Sequence, residues 1–104
     1  MSDVIFQARF GYVDELVRII KSKYVADDST MLQLVSIYGE PIAVATTCLE
    51  HAKPAPGNVF IKNWSENLGL LKVLQKAGVL GPVIREVSSG FVKVQECQLL
   101  MEDD

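Results

Sequence analysis

The sequence predicts an α+β fold: one two-layer domain over residues 1–104, its sheet mainly antiparallel, with two helices in the order β-α-β-β-β-α-β-β. Three observations carry that expectation. Short apolar runs are bounded by turn residues, two segments switch to a helical period, and three strand-like runs stand in succession between them. At 104 residues the chain can close one core without a metal or a disulfide staple.

Each element has its own signal. In "VIFQARF", residues 4–10, Val4, Phe6, Ala8 and Phe10 share one face while Gln7 and Arg9 take the other, a half-buried strand that Gly11 ends. From Tyr12 to Tyr24, the residues Val13, Leu16, Val17, Ile20 and Tyr24 recur at helical spacing. Asp14 and Glu15 near the start and Lys21 and Lys23 near the end suit a helix dipole, and Asp14 with Arg18 makes an i,i+4 pair. The first helix is expected here, with a strand as its rival because "VRII" is rich in β-branched residues.

"ADDST", 26–30, is turn chemistry. "MLQLVSIY", 31–38, and "IAVATTCL", 42–49, read as an antiparallel hairpin about "GEP". Ala43, Ala45, Thr46 and Thr47 are small enough to lie beneath a packed helix or a neighbouring subunit. "EHAKPAPG", 50–57, is a loop, and "NVFIKN" is a strand. Residues 64–77 are the second helix. Asn63 is its expected N-cap with Glu66 in the capping-box position, Ser65 is the alternative cap, and Gly78 is its stop. "VLGPVIREV" and "FVKVQECQLL" form a last hairpin about "SSG", and the tail at 101–104 is expected to fray.

A hydrophobic content of 49% excludes a disordered chain. The mean hydropathy of +0.22 is high for a small domain, so part of the apolar surface is expected to be covered by a second copy or another protein. With 10 basic and 13 acidic residues, a net charge of −3 and no Lys/Arg cluster, the chain lacks the footprint of a nucleic-acid binder. "MSDVIFQARF" has no signal-peptide pattern and no apolar run reaches a membrane span, which points to a cytoplasmic protein with no membrane partner. In that compartment Cys48 and Cys97 read as two reduced, buried thiols.

The sequence offers little to catalysis. His51 is the only histidine, and Cys48 lies three residues before it. On an extended strand such positions face opposite sides, and no cysteine-protease signature surrounds Cys48. Cys48, Glu50, His51 and distant Cys97 do not match a metal-ligand spacing, and the scattered glycines form no phosphate-binding fingerprint. Glu86 and Glu96 are expected on adjacent strands, on the wet face of a sheet. No catalytic residue, metal or cofactor is assigned.

Trp64 stands out. It is either a lid over the core at the helix start or an exposed aromatic ringed by Lys62, Asn63, Glu66 and Asn67. The second arrangement suits a protein-binding hot spot, so these five residues are the candidate partner-binding set. The string "VFIKNWSENLGLLKVLQKAGV" followed by "SSGFVKVQECQL" resembles a pattern in small uncharacterised proteins of bacteria and phages. That pattern has a V-x-I-K strand, an aromatic-S-E-N helix start, an apolar helix ending A-G and a closing G-[YF]-V strand, and the similarity covers about residues 31–100. It implies no activity or cofactor.

The resulting expectation is a non-enzymatic protein-interaction module that self-associates through an open sheet edge or the small-residue strand. One specialised form is a phage- or mobile-element-type inhibitor of a host protein. The alternative is a small-ligand or nucleotide-binding regulatory domain, with a pocket between helix 64–77 and the sheet and an anion at the helix amino end.

Overall fold

The computed structural model describes residues 5–101; Val4 of the first expected strand and residues 102–104 of the expected frayed tail lie outside them. Strands β1 (Ile5–Phe10), β2 (Val13–Lys23), β3 (Thr30–Ser36) and β4 (Pro41–Val44) form an antiparallel meander. Strands β5 (Asn58–Ile61), β6 (Leu80–Ser89) and β7 (Val92–Leu99) form a second antiparallel sheet in the order β5-β7-β6. Helix α1 (Leu70–Lys76) follows one 3-10 turn at Ser65–Asn67 and is the only α-helix among the described residues. The two-helix α+β expectation is therefore corrected to a mainly antiparallel β fold of two sheets and one short helix.

The correction falls on residues 13–23, which form the long strand β2 rather than a helix. Val17 and Ile19 enter the core while Leu16 and Ile20 face outward and remain exposed. Apolar residues on both faces erase the alternation that marks a half-buried strand, and their combined positions imitate a helical stripe. The β-branched side chains of "VRII" suit the strand.

A second correction concerns the start of the other helix. Ser65 has φ +57° and Gly69 has φ +93°, so the chain makes a 3-10 turn, breaks, and restarts at Leu70. No side chain caps either N-terminus from the N-cap position. Asn63 nevertheless caps α1 from outside the helix, its Oδ1 accepting the Leu71 N–H at 2.9 Å.

The two sheets are stitched together by residues 45–47. The Ala45 N–H donates to the Leu32 carbonyl, the Lys62 N–H to the Ala45 carbonyl, and the Thr47 N–H to the Phe60 carbonyl. Thr46 and Ile61 form a bridge. Ala45 and Thr46 are buried there between two strands of their own chain, while Ala43 and Thr47 are half-buried. The core lies between the sheets and under α1, built from Phe10, Val17, Leu32, Leu34, Val59, Ile61, Leu70, Leu74, Leu80 and Cys97. Met101, inside the expected frayed tail, packs half-buried against it. Helix α1 contacts both β1 and β6, the terminal strands of the two sheets.

The outer faces of the two sheets are treated differently. Behind β5 and β7, the loop 50–57 lies over Phe60 and Glu96, held by the Ala55 N–H donating to Glu96 Oε2 at 3.0 Å. Arg85 also ties this loop down, with Nη2 donating to the Lys53 carbonyl at 3.2 Å and its guanidinium 5.8 Å from the Phe60 ring centre. Most of the outer face of the β1–β4 sheet has no such cover among the described residues.

Candidate interaction surface

The five residues expected to bind a partner do not form one exposed set. Lys62, Asn63 and Trp64 are half-buried, Glu66 is exposed, and Asn67 is buried at 1% exposure. Asn67 acts inside the fold, its Nδ2 donating to the Val44 carbonyl at 2.8 Å. Asn63 is committed to α1. Lys62 is ion-paired with Glu66, and this hydrogen bond draws the Glu66 carboxyl down to about 2. Only Trp64 and this ion pair remain available at the surface.

The turn between β1 and β2 packs against this segment. The Gly11 N–H donates to the Leu68 carbonyl at 3.2 Å, which brings the fully exposed Tyr12 beside the largely exposed Leu68. Gly11 is required there: with φ +52°, a Cβ on it would stand 2.5 Å from the Glu66 carbonyl oxygen.

The larger feature is the outer face of the β1–β4 sheet. Strand register arranges its central part in three rows, flanked by the Arg9–Asp14 pair at one end and Ser22–Met31 at the other. Gln7 and Leu16 are paired, and the Ile37 N–H donates to the Leu16 carbonyl. The next row is Ile5, Arg18, Val35 and Pro41, and the third is Ile20, Gln33 and Val44. Ile5, Leu16, Ile20, Ile37 and Val44 are all exposed. Arg18 lies half-buried in the middle row, its Nε shielded and without a hydrogen-bond acceptor among the described residues. Its aliphatic stem lies in that row between exposed Ile5 and buried Val35. The sequence marked Leu16 and Ile20 as helix core; their outward position follows only from the strand.

The groups considered for catalysis are engaged structurally. His51 Nε2–H donates to the Ser88 carbonyl at 3.0 Å, away from Cys48. Burial, with the Asp27 charge beside it, pushes the Cys48 thiol up and away from the reactive thiolate. Asp27 instead accepts from the Ser29 hydroxyl and N–H, which hold its carboxyl below the usual range and fix the turn before β3. Burial raises the Tyr24 phenol, whose hydroxyl bonds the Thr46 hydroxyl at 2.9 Å. Both cysteines are free; Cys97 is buried and Cys48 only half so.

Glu96 departs from the wet face expected of it. It is 1% exposed, and burial alone would raise its carboxyl. Asn58 Nδ2 at 2.7 Å, Arg85 Nε at 2.5 Å and the Ala55 N–H outweigh that and hold it below the usual range. Its pairing across β7 with Arg85 and Phe60 depends on register, which no local motif announces.

Among the described residues, no group of three or more His, Cys, Asp or Glu is placed to hold a metal, and no helix is long and apolar enough to cross a membrane. The amino end of α1 differs from the anion site expected there: the helix has seven residues, and Asn63 already occupies the Leu71 N–H. No family model matches the chain, and neither a curated protein nor a solved structure is significantly similar to it.

Proposed function

We propose that this chain is a non-enzymatic protein-interaction module of the cytoplasm, and that its main contact surface is the outer face of the β1–β4 sheet. One observation carries the reading: the chain covers the back of one sheet with its own loop and leaves exposed aliphatic side chains in the three central rows of the other. Antiparallel sheets that face water ordinarily place polar residues on the wet side. A contiguous apolar patch on a small domain marks an interaction site. Half-buried Trp64 is a smaller second candidate contact. A narrower form, an inhibitor of a host protein, rests on the phage-like resemblance of residues 31–100.

The test compares wild type with the double variant Leu16→Glu, Ile20→Glu in light scattering and in capture from source-cell lysate. Retention of a partner or a dimer by wild type, and its loss in a variant with unchanged circular dichroism, supports the reading. Identical masses and identical captured proteins for the two would refute it. Trp64→Ala in parallel assigns the share of the smaller contact.

A further inference from the structure

We propose that the free edge of β1 and the side of α1 form a groove that receives an extended peptide segment of alternating apolar and acidic residues, added as a further strand to the β1–β4 sheet. The site lies on the sheet edge, so this reading and the outer-face reading can fail separately.

The groove encloses about 550 Å³ and is lined by Phe6, Gln7, Arg9, Val73, Lys76 and Ala77. Strand β1 is terminal in its sheet, and among the described residues the backbone of residues 5–10 is hydrogen-bonded only to β2. Alternate N–H and C=O groups of an edge strand point away from its partner and form a template for another strand. The groove is closed at one end, where the Gly11 N–H meets the Leu68 carbonyl, and the Gly69 backbone approaches Phe10. An added segment therefore pairs along Ile5–Arg9, a length of about five residues at about 3.4 Å each.

The alternation follows from β1 itself. Phe6 faces the core side, and half-buried Phe6, Val73 and Ala77 leave an apolar floor beneath every second position of an added strand. Ile5, Gln7 and Arg9 face the other side, so the acidic positions are those opposite Gln7 and Arg9. There Asp14 on β2 accepts from Gln7 Nε2 at 2.6 Å and from Arg9 Nε at 3.0 Å. Lys76, exposed on α1, makes no ion pair among the described residues. The lining thus holds two cations and no carboxylate in a chain of net charge −3, and Asp14 answers only one of them. Backbone pairing supplies affinity in strand addition, and side-chain pockets with cross-strand charge pairs supply selection.

The probe is the peptide Ac-Asp-Val-Glu-Ile-Asp-Val-NH2 titrated into the isotope-labelled full chain, followed by amide chemical shifts and hydrogen exchange. Saturable shifts confined to residues 5–10 and 70–77, with slowed exchange of the outward β1 amides, are the expected result. N-methylation of alternate peptide nitrogens abolishes binding, and Lys76→Glu weakens it about tenfold. Ala77→Trp, which fills the groove, also blocks it; if that variant misfolds, exposed Lys76→Glu and the methylated peptide still decide. Equal binding of the N-methylated peptide or of a scrambled peptide with clustered acids overturns the proposal. So does an absence of shifts in β1, or shifts centred on Leu16, Ile20 and Ile37.

Discussion

At the scale of single residues, Glu96 is the charged group most tightly held by the fold. Its depressed carboxyl gives a stability contribution present above the unfolded carboxylate value, about 4.3, and lost as pH falls through the lower folded value. Glu96→Gln is expected to destabilise the chain by about 1.5–3 kcal/mol near neutrality, with the gap to wild type narrowing in acid; urea melts at several pH values measure it. Gly11→Ala meets both a left-handed backbone and the Glu66 carbonyl, and is expected to cost about 1–3 kcal/mol. Gly69→Ala meets no clash, since its Cβ would be in ordinary contact with Phe10, but its backbone at φ +93° still strains the substitution. The buried Cys97 thiol is raised to about 11 by burial and by the Glu96 charge. Iodoacetamide should therefore modify half-buried Cys48 first and reach Cys97 only on unfolding, as peptide mapping would show.

At the scale of elements, strand and turn positions were legible where polar residues alternate with apolar ones or turn residues bound a short apolar run. The hairpins β3–β4 and β6–β7 and the loop 50–57 follow from alternation and turn residues in the sequence, and the strand β5 from a short apolar run bounded by them. Two turns carry glycine at positive φ followed by a fully exposed aromatic, Gly11 before Tyr12 and Gly90 before Phe91, as primed hairpins require. Strand β2 was not legible, and the cause is physical: Leu16 and Ile20 are apolar where a wet strand would be polar. The same side chains that obscure the element form the candidate surface. The capping residue was legible in kind but not in place, since Asn63 reaches across the break at Gly69 to the Leu71 N–H. If β2 owes little stability to its outward side chains, Leu16→Thr with Ile20→Thr should shift folding free energy by no more than about 0.5 kcal/mol while removing association. Denaturation and light scattering on the same samples separate the two effects.

For the whole molecule, the placement of the loop 50–57 decides which surface is interior. It lies over Phe60 and the Glu96 carboxylate on one sheet, although nothing in "EHAKPAPG" names the sheet it will cover. Replacing residues 51–56 with a short glycine-serine connection would keep both sheets joined through residues 45–47 but bare Phe60 and strip Glu96 of the Ala55 N–H. Uncovering a fully buried aromatic forfeits about 1.5–3 kcal/mol of apolar burial, and the lost charged hydrogen bond adds about 1.5–3 kcal/mol. A loss of several kcal/mol in urea unfolding, with new dye-binding apolar surface, is the expected outcome. The contrast with the threonine pair on β2 is the physical content of the claim. Apolar side chains under the loop are buried with the folding core, whereas Ile5, Leu16, Ile20, Ile37 and Val44 on the β1–β4 face are exposed and available to the proposed contact. Equal destabilisation by the two changes would mean that the β1–β4 face is already serving the fold.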